Sequence, residues 1–146
     1  MLIAELANSG PMPVLAEVMS FAAQRQQLLA HNIANLDTPD FVPLDVSTQA
    51  FQRNLAEAVK RRREGAGSAA GVLDVKETRE LARDGAGGLV LKPRTPSGNV
   101  LFHDRNSRDL ERMMQALTEN TTVFRAASEL MRVNEAMLRT AISQRV

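Results

Sequence analysis

Two histidines and no cysteine are the chain's whole supply of the side chains that most often hold transition metals. His31 and His103 lie far apart in sequence and lack the short spacing of paired metal ligands. His31 sits beside Asn32 inside a helical pattern, where a solvated or packed imidazole is the simpler reading than a ligand. The missing cysteine removes disulfides, thiolate metal sites and thiol nucleophiles, without fixing a compartment. The glycine clusters at 64–71 and 85–88 are not followed by the Lys-Ser or Lys-Thr of a phosphate loop, and no G-x-G-x-x-G follows a clear strand. Asn120-Thr121-Thr122 matches a glycosylation acceptor but falls within a helix. The basic run Lys60-Arg61-Arg62-Arg63 suits a phosphate or anionic lipid, or equally a solvated helix end ahead of a Gly-rich loop. Five Phe with no Trp or Tyr are too few to stack single-stranded bases. These residue types predict no catalytic group, no cofactor and no metal. The pattern in the chain is apolar.

The strongest part of that pattern runs from Asp109 to Val146, a stretch without Gly or Pro. Leu110, Met113, Leu117, Phe124, Ala127, Met131, Leu138 and Ala141 recur by alternating threes and fours. Asn120 and Asn134 occupy two positions of the same seam. This spacing puts a narrow stripe on one side of a helix that would reach about 55 Å. Met114, Leu130, Met137 and Ile142 widen it, so the flanks are expected to be partly buried. Asn106 or Ser107 can cap the start, Asp109 and Glu111 suit the first turn, and Arg139 and Arg145 suit the last. Such a stripe needs a partner helix, in this chain or in a neighbour.

The natural partner runs from Pro13 to about Asn35, with Pro11 or Pro13 suited to its first turn. Val14, Leu15, Val18, Phe21, Ala22, Leu28, Leu29 and Ile33 form a wide apolar face that Arg25 and Asn32 interrupt. Leu36-Asp37-Thr38-Pro39 ends it, because the residue before a proline is pushed out of the α region. Between these helices, Thr48 to Arg63 reads as a further helix carrying Phe51, Leu55 and Val59. Glu64 to Gly71 reads as a flexible linker. Asp74 to Asp84 reads as a short helix stopped by Gly85-Ala86-Gly87-Gly88. Leu89–Lys92 and Val100–Phe102 read as a small hairpin around residues 93–98.

With 146 residues there is room for one modest domain, and its core is poor in aromatics. The expected fold is mainly α. Its N- and C-terminal long helices pair as an antiparallel coiled-coil-like core, with a partly irregular central insert carrying a small β-hairpin. The expected units are 1–41 (N-terminal helix and turn), 42–106 (central insert) and 107–146 (C-terminal helix). A net charge of +1 points to no nucleic acid or acidic partner. No apolar run approaches the roughly 20 residues of a membrane span. Residues 1–10 carry neither a basic nor a long apolar signal region, so no cleaved secretory signal is expected.

The stretch Ala23–Phe41, AQRQQLLAHNIANLDTPDF, resembles the N-terminal signature of the bacterial flagellar axial family, the rod and hook proteins. The Arg25-Gln26 pair and Asn32-Ile33-Ala34-Asn35 with Asp37-Thr38-Pro39 are most similar to its proximal-rod members. Toward the other end, Asp109-Leu110, Glu119-Asn120, Leu138-Arg139 and Ala141-Ile142 match the family's usual spacing. The likeness covers about the first 45 and last 40 residues. Three departures from it stand out. Asp40 replaces the usual Gly after Thr-Pro, with Phe41 for Tyr, which predicts a type I rather than a type II turn. His31 replaces a small residue, and Ser107-Arg108 replaces Asn-Val.

The resemblance implies a structural subunit of the flagellar basal-body proximal rod, exported unfolded by the flagellar type III apparatus without a cleaved signal peptide. Its terminal helices would pair and then pack into a helical tube across the periplasm, linking the membrane ring to the distal rod. Partners would be other copies of itself, other rod proteins, the membrane-ring/rod junction protein and the export apparatus. On the N-terminal side the assembly residues would be Arg25, Leu28, Leu29, Asn32 and Ile33, followed by Asn35, Thr38, Pro39 and Phe41 at the turn. On the C-terminal helix they would be Leu110, Met113, Leu117, Asn120, Phe124, Met131, Asn134 and Leu138, the two Asn fixing register. Another rod component of the family, a soluble helical adaptor receiving a partner's helix, and a nucleic-acid binder using Lys60–Arg63 are the alternatives.

Overall fold

The structure is a computed structural model of the chain, and it describes residues 10–66, 73–95 and 110–143. Three helices appear in it: α1 (Met12–Ala34), α2 (Thr48–Ala66) and α3 (Leu110–Ser143). Two short strands, β1 (Leu81–Arg83) and β2 (Leu89–Leu91), pair antiparallel with Leu81 opposite Leu91 and Arg83 opposite Leu89. The fold is mainly helical with one small sheet, and the N- and C-terminal helices pack on each other.

Pro13 lies in the first turn of α1, where a missing N–H leaves no bond unmade. The helix closes at Asn35, whose backbone N–H and side-chain amide both donate to the His31 carbonyl, at 3.2 and 2.8 Å. The chain then turns sharply, with the Phe41 N–H donating to the Thr38 carbonyl at 3.2 Å. Pro39 occupies the second position of this turn and Asp40 the third, at φ +59°. A positive φ at that position makes it a type II turn, so the expected type I turn is corrected. Asp tolerates the left-handed region better than most residues, which lets it stand at a position that favours Gly.

The main cluster of buried apolar residues lies on the side of α1 that faces the insert. Phe21 stacks on Phe51 of α2 with ring centroids 4.0 Å apart and planes 9° from parallel. Val46, Leu55, Ala58, Leu73, Val75, Leu81 and Leu89 complete the core. Residues 74–84 are not the expected helix. Leu73 and Val75 are buried and Asp74 and Lys76 exposed, the alternation of extended chain. Asn54 donates to the Lys76 carbonyl at 2.6 Å and Arg61 to the Asp74 carbonyl at 2.8 Å, fixing that segment along α2. Thr78 then bends the chain into β1, its hydroxyl accepting from the Leu81 N–H at 3.2 Å.

Gly85–Gly88 is a hairpin turn and not a helix stop. Asp84 accepts from the N–H groups of Ala86 and Gly88, and Gly87 sits at φ +84°. The strand at Leu89–Leu91 therefore pairs with Leu81–Arg83, and its expected partner Val100–Phe102 lies outside the described residues. Helix α2 runs to Ala66, into the stretch expected to be linker, whose residues 67–71 also lie outside the described ones. The same holds for the proposed caps Asn106 and Ser107, for Asp109 and for Arg145.

Candidate assembly interface

Helix α1 is held on two sides, and the polar residues that interrupt its apolar face do the holding. Arg25 makes a two-point ion pair with Asp45, Nε to Oδ1 at 2.9 Å and Nη2 to Oδ2 at 2.7 Å. Asn32 grips one residue of the same segment twice. Its Nδ2 donates to the Leu44 carbonyl at 2.6 Å, and its Oδ1 accepts from the Leu44 N–H at 3.2 Å. Gln24 does the same to the outer edge of β2, donating to the Leu89 carbonyl at 2.6 Å and accepting from the Leu91 N–H at 3.1 Å. Glu17 accepts from Arg83 at 2.7 Å. On the far side of the hairpin, Thr78 and Glu77 take the N–H groups of Leu81 and Arg83. Both edges of the two-stranded sheet are thus occupied by side chains, which blunts edge-to-edge pairing with another chain.

The other side of α1 carries α3. Asn120 is buried, and its Nδ2 donates to the Ala22 carbonyl at 2.8 Å and to Gln26 Oε1 at 2.9 Å. Thr121 adds a bond to the same Gln26 oxygen at 3.2 Å. Toward the start of α3, Met113 and Ala116 line a groove of about 920 Å³ shared with Leu29 and Asn32, late in α1. Rising position on α3 thus meets falling position on α1, so the two run antiparallel. By that register Met12 falls opposite about Arg132, and the last ten or so residues of α3 run past the start of α1, roughly 15 Å.

The seam read from sequence is not uniformly covered. Asn120 and Ala127 are the buried residues of α3, while Met113, Leu117, Phe124, Met131, Asn134 and Leu138 are half-buried and Leu110 is exposed. Asn134 donates to the Leu130 carbonyl of its own helix, so within the chain it fixes no register. The flanking residues expected to be partly buried are exposed, three of them the barest large apolar residues described on the helix: Met114 is 48 % exposed, Leu130 54 %, Ile142 58 % and Met137 64 %. Arg132 binds Glu129, and that hydrogen bond together with its charge holds the Glu129 carboxyl below its ordinary value and raises the guanidinium.

On α1, Arg25, Leu29 and Asn32 are buried within the chain. Leu28 and Ile33 are half-buried, and Asn35 caps the helix. Thr38 and Pro39 are exposed in the turn, and Phe41 lies edge-on to His31 with centroids 5.7 Å apart. The basic run divides: Arg62 is buried and donates to the Gly10 carbonyl at 3.0 Å and Arg61 donates to the Asp74 carbonyl, while Lys60 and Arg63 are exposed, Lys60 pairing with Glu64 of its own helix. Sequence reading missed Glu17 and Gln24, and named Gln26 in its pair with Arg25 without giving it a contact. A polar residue one or two positions off an apolar stripe is ordinarily solvated, and nothing local marks these as exceptions.

Among the described residues no group of three or more His, Asp or Glu is arranged to hold a metal ion, and no helix is long and apolar enough to cross a membrane. No protein-family model matches the chain, and no curated protein matches it.

Proposed function

We propose that the chain is a structural subunit of the proximal rod of the bacterial flagellar basal body, of the FlgB type. The observation that carries this reading is the exposed apolar length of α3, a helix anchored to α1 by Asn120 but left bare at Leu130, Met137 and Ile142. Exposed large side chains at helical spacing mark a surface built for another helix. The resemblance at Ala23–Phe41 and along the C-terminal helix supplies the kind of assembly. In it, terminal helices of successive subunits line a tube in the periplasm, in contact with copies, other rod proteins and the ring junction, after passage through the type III export apparatus. The occupied edges of the hairpin leave assembly to the helices.

The test is genetic and structural together. In the bacterium that carries this chain, its deletion is expected to abolish swimming, and the chain is expected in isolated basal bodies. Leu117→Asp or Phe124→Asp is expected to block rod assembly while the chain is still exported. Normal swimming by the deletion strain would overturn the reading. A second reading, a soluble adaptor that receives a partner's helix, is favoured by the same bare face. It predicts a chain absent from basal bodies.

A further inference from the structure

Helix α1 spends all its acidic and strongly basic side chains on the insert. Its Glu17 and Arg25 are both engaged in ion pairs there, with Arg83 and Asp45. What α1 leaves exposed is Ala16, Ala23, Gln27, Ala30, His31 and Ala34. A helix face turned to water ordinarily carries charge, and this one carries none beyond a histidine. It is a smooth, small-residue surface that desolvates cheaply and allows a second helix to approach closely.

Helix α3 has a second uncharged line, apart from the seam that faces α1. Val123, Ala126, Leu130, Val133 and Met137 step by threes and fours and are all exposed, Val123 at 47 % and Met137 at 64 %. That spacing is the signature of a helix awaiting a helix. The large residues Val123, Leu130 and Met137 repeat every seven positions, as do Ala16, Ala23 and Ala30 on α1, a rise of about 10.5 Å per repeat on each. Large side chains on one helix therefore come level with small ones on the other, repeat after repeat. The two faces cannot meet within one chain, because Asn120 and Gln26 already hold α1 and α3 together by other sides.

We propose that the Val123–Met137 line of α3 receives the alanine face of α1 from a second copy of this chain. The contact is heterologous, one face on one different face, so it repeats without closing and yields a filament rather than a dimer. It rests on the assembly reading above and names the two surfaces that carry it.

The chain has no cysteine, so introduced thiols report cleanly. Ala23→Cys and Leu130→Cys are purified separately, checked for unchanged helical circular dichroism, concentrated, and oxidised alone or mixed. A disulfide is expected in the mixture and not in either variant alone. Ala16→Cys is expected to link to one of Val123→Cys and Met137→Cys, which also fixes helix direction. Disulfides formed by either single variant alone, or no mixed product, would overturn the proposal. Swimming separates it from the rod reading. If the mixed disulfide forms yet a strain carrying Ala23→Glu swims normally, the contact stands and the rod reading falls. If the chain sits in the basal-body rod but no mixed disulfide forms, the contact falls and the rod reading stands.

Discussion

Asn120 of α3 places its amide 2.8 Å from the carbonyl oxygen of Ala22 in α1, and the same amide reaches Gln26 at 2.9 Å. A polar group in an apolar seam stays buried only if it is satisfied there, and satisfaction holds in one register alone. Asn134 sits on the same seam two heptads later and bonds only to its own helix. The two positions look alike in sequence and are expected to respond differently. Asn120→Ala should lower the free energy of unfolding by about 1–2 kcal/mol, whereas Asn134→Ala should stay within about 0.5 kcal/mol of the parent. Urea denaturation followed by circular dichroism measures both, and equal losses would show that Asn120 does not lock the pair.

The Thr38–Phe41 turn holds Asp40 at φ +59°. Glycine adopts that conformation without the clash an L side chain meets, although it also frees the unfolded chain. Asp40→Gly is therefore expected to leave stability unchanged or to raise it by up to about 1 kcal/mol. Asp40→Val, β-branched at a left-handed position, should lose about 1–2 kcal/mol. The thermal midpoints of the two variants should fall on opposite sides of the parent or bracket it closely. A more stable Val variant would contradict the turn geometry.

Gln24 pairs with β2 as a neighbouring strand would, one amide supplying both a donor and an acceptor. Gln24→Glu keeps the shape and the acceptor toward Leu91, but an ionised carboxylate meets the Leu89 carbonyl with no proton to offer. The variant should lose about 1–3 kcal/mol at neutral pH. Its carboxyl is held above its unfolded value of about 4.3, because the folded state favours the protonated form that restores the donor. Stability relative to the parent should therefore recover as pH falls through the raised folded value toward the unfolded one. A deficit that does not change between pH 7 and pH 4 would show that the carbonyl of Leu89 does not depend on this donor.

These positions show how far sequence reaches. The extent of α1, the start of α2 and the presence of α3 follow from periodicity and from Pro13, Pro39 and the apolar spacing, all of them local signals, whereas α2 runs past its expected end to Ala66. The antiparallel pairing of the terminal helices follows from stripes that a single helix cannot cover. The course of residues 73–95 does not follow, because it depends on contacts far apart in sequence: Gln24 with Leu89, Asn54 with Lys76, Glu17 with Arg83. Arg25 and Asn32 were visible as interruptions of an apolar face. Whether such an interruption meets a neighbour or the chain's own insert is decided by tertiary structure, and here the insert takes both. The exposure of Leu130 and Met137 was hidden for the same reason, since a stripe on α3 does not reveal which of its flanks α1 leaves uncovered.

The mismatch in length between α1 and α3 has a dynamic consequence. Amides flanking Asn120 and Ala127 lie under α1, where opening requires separating the helix pair. Those after about Arg132 lie beyond its start, and the side-chain bonds described there are local to the helix. A helix end without tertiary packing frays, because short stretches are marginal in water. Hydrogen exchange on the free chain should therefore show slow amides around Leu117–Ala127 and fast ones from Asn134 to Ser143. In an assembled sample the second group should slow by a large factor, since a neighbour's helix then covers Met137 and its surroundings. Uniformly slow exchange from Leu110 to Ala141 in the free chain would mean that the bare face is already stabilised without a partner, and would remove the physical reason for assembly.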